Sequence, residues 1–199
     1  MSVGRGVMRD METFTLVPRG PFSLAASIRF LEGFTPASYS NTPGGVLELA
    51  FPAEGSWRTV GVRVSQAGEK VDAEIVSPAH PGADLVAEVR PQVERILSLD
   101  VDGSGFSGVG DLDPAVGEIQ RRYPGLRPVG FWSPYEAAAW TIIGHRIRMT
   151  QAATLKARIA ERLAGRDEPD DHFGAFRREL EQLQRACLDQ AEQPRRIAL

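Results

Sequence analysis

The pattern of apolar and polar residues from Glu12 to Ser77 predicts a strand, a helix and three more strands. Phe14 and Leu16 alternate with threonines, which is typical of a half-buried strand. A helix of about ten residues is expected over 22–31, and Gly33 ends it. Three alternating runs then predict an antiparallel meander whose last two strands form a hairpin: 46–51, 57–64 and 71–76.

Beyond Gly82 the apolar residues recur at spacings of three and four, so helices are expected. One helix is predicted over 85–97, and a shorter one begins at Asp113-Pro114. Ser133, Pro134 and Glu136 give the clearest helix start, because they combine an N-cap, a first-turn proline and a capping-box glutamate. The pattern therefore changes from a β-containing half to an all-helical half.

The helix that follows Ser133 is apolar nearly all round over 137–143, which predicts a central, buried helix. Gly144 interrupts it. A short loop, a new N-cap at Thr150 and a second helix over 151–163 are expected.

The expected fold class is α+β, in four segments. These are a disordered tail (1–11), an α+β domain (12–80), a helical portion (81–165) and an atypical C-terminal tail (166–199). Within the last segment, apolar residues could form a narrow stripe on one helix: Phe173, Phe176, Leu180, Leu183 and Cys187.

Composition narrows the class of protein. The chain has 199 residues, 42% hydrophobic residues and a formal net charge of −3, which is typical of a globular protein. No apolar run is long enough to span a membrane, and the N-terminus does not resemble a secretory signal, so a cytoplasmic location is expected. The single cysteine, Cys187, excludes an internal disulfide.

Charge is unevenly distributed along the chain. Residues 46–115 carry 12 acidic and 5 basic residues, whereas 121–166 carry 9 basic and 2 acidic residues. A basic segment in an acidic protein indicates a localised anionic partner. A GC-rich coding bias would raise the arginine count, but it does not explain the clustering.

Few residues suggest metal or nucleophilic chemistry. The run Asp100–Gly105 resembles the start of a calcium-binding loop, but later positions depart from that pattern, and a flexible inter-helix loop is the other interpretation. The three histidines lack metal-ligand spacing, and no phosphate-binding or nucleophile motif occurs. No metal or cofactor is expected.

His145, Arg146 and Arg148 lie in the break between two apolar helices, beside Gly144. Glycine allows a backbone to approach a ligand closely, and arginine suits bidentate contacts to phosphate. An ordinary exposed turn is the alternative.

The segment 133–163, SPYEAAAWTIIGHRIRMTQAATLKARIAERL, resembles the opening helices of the helix-hairpin-helix DNA glycosylases. The most similar branch is DNA-3-methyladenine glycosylase II. The run RRYPGLR (121–127) is similar to that family's connector. The N-terminal strand, helix and meander resemble its α+β domain, which is similar to one TATA-binding-protein repeat. The resemblance covers about residues 12–165.

The resemblance implies a base-excision repair enzyme that flips alkylated bases such as 3-methyladenine out of duplex DNA into an aromatic pocket. It implies no metal or organic cofactor, and a nucleoid-associated location. Phe30 and His145 would contact the base, Arg146 would stand where a relative inserts a leucine wedge, and Arg148 and Lys156 would contact DNA. For Phe30, a plain core position is the alternative.

Two family features are not found in this sequence: the Leu-Pro-Gly-[Val/Ile]-Gly hairpin and the catalytic aspartate beyond it. No catalytic residue is therefore assigned. The expectation is a truncated or frame-shifted, inactive form of the glycosylase, with self-association through exposed core helices. A non-catalytic DNA-docking or interaction module is the alternative.

Overall fold

The computed structural model describes residues 12–34, 44–76 and 84–163. The chain divides into two compact units, Met1–Ser133 and Pro134–Leu199. The predicted tails, 1–11 and 166–199, lie outside the described residues, and so does the apolar stripe of the C-terminal tail.

The first unit contains a four-stranded antiparallel sheet in the order β1-β4-β3-β2. The strands are β1 (Glu12–Leu16), β2 (Leu47–Pro52), β3 (Thr59–Ala67) and β4 (Lys70–Val76). Helix α1 (Leu24–Gly33) follows β1. Gly68 turns the β3–β4 hairpin with a φ of 62°. The predicted order of strand, helix and antiparallel meander is confirmed, and the fold class is α+β.

Three more helices complete the described part of the first unit: α2 (Asp84–Ile96), the short α3 (Val109–Leu112) and α4 (Pro114–Arg122). One face of the sheet is buried together with α1 and α2 in a single core. Its largest members include Leu16, Leu24, Leu47, Phe51, Ile75, Leu85 and Ile96. Helix α2 shares this core with the sheet, and the division into two units falls between Ser133 and Pro134.

Helix α2 ends in a Schellman motif without glycine. Ser98 adopts a left-handed φ of 54°. Its N–H donates to the Arg95 carbonyl, and the Leu99 N–H donates to the Glu94 carbonyl. This pattern pairs carbonyls that the helix end would otherwise leave free, and it turns the chain sharply toward 99–105.

Arg127 is buried and binds backbone, although the sequence grouped it with the basic segment. Its guanidinium donates to the carbonyls of Pro21 (3.1 Å), Ser98 (2.9 Å) and Val101 (2.9 Å), and also to that of Arg19. The side chain thus joins the start of α1 to the end of α2. Arg127 is therefore not available for an anionic partner.

The loop 100–105, which resembles the start of a calcium-binding loop, contains hydrogen bonds between its own residues. Asp102 accepts hydrogen bonds from the backbone N–H and the hydroxyl of Ser104, and these bonds hold the pKa of Asp102 below its usual 3.8. The Gly103 N–H donates to the Arg19 carbonyl at 2.9 Å. Among the described residues, no three acidic, histidine or cysteine side chains are grouped to hold a metal ion. The loop is thus tied to the segment before α1.

The second unit contains α5 (Pro134–Ile143) and α6 (Met149–Leu163). Four buried side chains form its described core: Ala139, Ile143, Ala152 and Ile159. Ile142 is 42% exposed, so part of the apolar surface of α5 is open, as expected from the sequence for exposed core helices. No helix in the described ranges is long and apolar enough to cross a membrane.

Candidate nucleic-acid interface

Residues 144–148 connect α5 to α6, and apolar packing fixes this connection at one point. The Gly144 N–H continues the α5 hydrogen bonding to the Trp140 carbonyl at 2.8 Å. Ile147 is half-buried and packs against the core of the second unit, together with Trp140 and Leu155. The side chain of Ile147 therefore anchors the loop to the core of the second unit.

Arg146 adopts a left-handed backbone conformation, with a φ of 58°. For a residue with a Cβ this region costs about 1–2 kcal/mol. Its side chain is exposed. Strained backbone conformations cluster at active sites and ligand clamps, and the same φ region also occurs at helix ends, as at Ser98.

Helix α6 begins at Met149, which makes Arg148 its N-cap residue. The Gln151 side chain accepts a hydrogen bond from the Arg148 N–H at 3.2 Å, which is half of a capping box. The predicted N-cap at Thr150 is therefore two residues late. The sequence analysis missed this start because arginine is a poor N-cap and threonine a good one.

His145, Arg146 and Arg148 share this loop, and all three are exposed. None of their side chains has a hydrogen bond or ion pair with another described residue. The N-terminus of α6 adds the positive end of the helix dipole to the same corner. Exposed arginine side chains beside a helix N-terminus can bind phosphate groups.

Lys156 lies on α6, and its Nζ is 2.6 Å from Oε1 of Glu136 on α5. Both side chains are more than half-buried. This ion pair links the two helices, so Lys156 contributes to the packing of α6 on α5. A contact of Lys156 with DNA stays a prediction.

Replacing Lys156 with glutamine should lower the stability of the second unit by about 1 kcal/mol, because it leaves the half-buried Glu136 carboxylate without this cation. Chemical denaturation followed by far-UV circular dichroism measures the effect. Because Lys156 is also predicted to contact DNA, the variant should reduce the salt dependence of duplex binding. A salt dependence equal to that of the wild type would limit Lys156 to its ion pair with Glu136.

Phe30 belongs to the first unit, on α1. It is half-buried, packs against the core of that unit and stacks on Phe34 with the ring centroids 5.6 Å apart. Phe30 therefore contributes to the core of the first unit. Its role as an aromatic that contacts the base stays a prediction.

Replacing Arg146 with glycine should stabilise the second unit by about 0.5–1 kcal/mol, since glycine adopts a positive φ without strain but loses more chain entropy on folding. Arg146→Ala retains the strain and should leave stability unchanged. Thermal denaturation of the two variants distinguishes them. Equal melting temperatures for both variants would show that the left-handed conformation stores no strain.

No protein-family model matches this sequence, and no curated protein is detectably similar to it. Among solved structures, the fold is similar to that of a 3-methyladenine DNA glycosylase from Archaeoglobus fulgidus, with a TM-score of 0.59 and 20% sequence identity. The match covers 75% of this chain and 50% of the glycosylase, so the chain spans about half the length of that protein. At this identity the likeness concerns the fold.

Proposed function

We propose that this chain docks on duplex DNA as part of a base-excision repair glycosylase of the alkylated-purine type. The observation that carries the proposal is the loop 144–148, where His145, Arg146 and Arg148 lie beside a helix N-terminus and have no hydrogen bond or ion pair with another side chain in the described part of the chain. The similarity in fold to a 3-methyladenine DNA glycosylase supports it. In this proposal the α+β part corresponds to the TATA-binding-protein-like domain, and α5 and α6 to the first helices of the glycosylase domain.

Each residue of the loop has a distinct part in the proposal. Arg148, together with the first backbone N–H groups of α6, binds a phosphate. Arg146 enters the base stack as the wedge, since its side chain is exposed and its planar guanidinium can stack on bases. His145 lies beside the base of the opposite strand, which loses its pairing partner when the damaged base is extruded.

An aromatic side chain suits the extruded base. Alkylated purines are cationic or electron-poor, so stacking and cation–π attraction stabilise them against an aromatic face. Phe30 is the proposed aromatic, and its half-buried ring in contact with Phe34 keeps one part of the side chain in the core.

Excision needs a carboxylate that stabilises the positive charge on the sugar. The motif that carries the family's aspartate is not found in the 199 residues. The chain by itself should therefore bind damaged DNA without releasing a base.

Two measurements on the purified 199-residue chain test this proposal. Duplex affinity should fall with rising salt, with a log–log slope of roughly −2, as expected for phosphate contacts of Arg148 and of Lys156. Alkylated DNA should release bases at the uncatalysed rate. Binding that is independent of salt would contradict DNA docking, whereas base release above the control would show that a carboxylate of this chain catalyses.

A further inference from the structure

The loop that joins β2 to β3, residues 53–58, presents a tryptophan at an unusual position. The loop is a tight turn, in which the Trp57 N–H donates to the Ala53 carbonyl and the Ala53 N–H to the Arg58 carbonyl, each at 2.8 Å. Two of its residues have a left-handed backbone, Gly55 with a φ of 113° and Trp57 with a φ of 58°. Glycine adopts this region freely, whereas a bulky residue there is a rare outlier. The turn explains the backbone of residue 57 but not the choice of tryptophan.

Packing does not explain the tryptophan either. Trp57 is 61% exposed, and it is not among the aromatic residues that pack against the core of the first unit. Its indole N–H has no hydrogen-bond partner among the described residues. Since an apolar side chain stabilises a fold through the area that it buries, most of this ring contributes nothing to the fold. Its exposed face is open to a ligand.

Helix α2 holds the β2–β3 loop in place. Gln92 on α2 is 1% exposed; its Oε1 accepts a hydrogen bond from the Glu54 N–H at 3.0 Å, and its Nε2 donates to the Pro52 carbonyl at 3.1 Å. The Ser56 hydroxyl, next to the tryptophan, donates to the Glu88 carboxylate of α2 at 2.6 Å. The backbone that carries the exposed ring is therefore fixed to the helix before any ligand binds, which lowers the entropic cost of binding.

A cation lies next to the exposed ring. Arg58 is exposed, and it has no hydrogen bond or ion pair from its side chain to any residue in the ranges that the structure describes. The Glu54 carboxylate of the same loop is 2.6 Å from the guanidinium of Arg95, so it is already neutralised by another cation. An aromatic face with an adjacent arginine suits a single nucleic-acid strand, because the ring stacks on a base and the guanidinium binds phosphate.

We propose that the β2–β3 loop is a binding site for single-stranded DNA, where Trp57 stacks on an unpaired base and Arg58 binds a neighbouring phosphate. The choice of DNA as the ligand rests on the proposed function, whereas the site itself belongs to the first unit and includes no residue of the loop 144–148. Bases inside a duplex are covered on both faces by their neighbours, so the site selects bases that have left the stack.

A proline-rich peptide suits this loop less well. Such peptides dock in grooves lined by several aromatic side chains. In the loop 53–58, Trp57 is the one aromatic residue, and the sequence places Arg58 directly beside it. A phosphate neutralises this cation, whereas an uncharged peptide does not. The loop therefore favours a nucleic-acid strand.

Binding of oligothymidylate, which forms no base pairs with itself, tests the proposal on the purified 199-residue chain by fluorescence anisotropy. Trp57→Ala should weaken the affinity about tenfold through the loss of one stacked base, and Trp57→Phe should recover part of it. Arg58→Ala should reduce the log–log slope with salt by about one. Phe106→Ala is the matched control, because it removes a ring that is 56% exposed from another part of the same unit. It should leave the affinity unchanged.

Tryptophan fluorescence gives a second measurement that does not depend on affinity. A base stacked on the indole quenches its emission, so saturating oligothymidylate should quench the wild type clearly more than Trp57→Phe. Equal quenching in both proteins would overturn the proposal, and so would equal affinities of the wild type and Trp57→Ala. Trp57-dependent binding of a proline-rich peptide, without binding of oligothymidylate, would assign the loop to a protein partner and also overturn it.

The double variant Arg146→Ala/Arg148→Ala separates this inference from the proposed function. Independent sites contribute additively, so Trp57→Ala should cause the same loss of oligothymidylate affinity in this background as in the wild type. Duplex binding that does not depend on the loop 144–148 would contradict the proposed function while this loss remains. Conversely, oligothymidylate binding that depends on Arg146 and Arg148 but not on Trp57 would overturn the inference and leave the proposed function standing.

Discussion

Replacing Arg127 with methionine should lower the free energy of unfolding by about 3–5 kcal/mol. The guanidinium is buried and donates to four backbone carbonyls, so its loss leaves acceptors without donors at the junction between α1 and α2. Methionine restores most of the volume, so the loss reports the polar contacts rather than a cavity. Arg127→Lys should recover part of the stability, because a single ammonium cannot reach all four carbonyls.

Urea denaturation of the wild type and these variants measures the effect. Arg121→Met is the matched control: its side chain is 71% exposed and pairs with Glu118 on the surface, so it should cost less than about 0.5 kcal/mol. Equal losses at Arg121 and Arg127 would contradict the role of Arg127 as a buried tie.

The second large effect concerns DNA. Removing both loop arginines, in Arg146→Ala/Arg148→Ala, should weaken duplex binding at low salt by about tenfold or more and flatten its salt dependence. Arg146→Ala alone should weaken binding most for a duplex with an abasic site, where a wedge can fill the gap. Fluorescence anisotropy with abasic and intact duplexes measures both.

The control for the double variant Arg146→Ala/Arg148→Ala is Arg158→Ala, which removes one exposed cation from the same helical unit. It should change affinity little, because Arg158 lies away from the loop on α6. An Arg158→Ala loss as large as that of the double variant would show that general basic charge, rather than the loop, holds the DNA.

The sheet could be predicted from the sequence because each strand carries its signal locally. Alternation places Val60, Val62 and Val64 on one face, and Gly68 marks the hairpin turn. The register then follows from which face is buried.

The hydrogen bonds from the buried Arg127 to backbone carbonyls could not be predicted in the same way. Its partner Arg19 is 108 positions away, and nothing local distinguishes this arginine from the exposed ones beside it. For the same reason, charge counting grouped it with the basic segment.

The candidate loop was predicted in part. Gly144 and the flanking apolar runs located it, but its two decisive features came from the structure: the left-handed Arg146 and the start of α6 at Met149. Neither follows from residue preferences, because arginine favours neither a positive φ nor an N-cap. The exposure of Ile142 on α5 agrees with the expectation of exposed core helices, but apolar composition shows only that a helix needs neighbours and not which side of it is open.

The measurement that tests the central claim most directly is a map of backbone amide chemical shifts in the full chain as a duplex with an abasic site is added. Docking through the loop predicts the largest changes at Gly144, Arg146 and Arg148 and in the first turn of α6, and their loss in Arg146→Ala/Arg148→Ala. Changes confined to the exposed face of the sheet, or no changes at low salt, would contradict it.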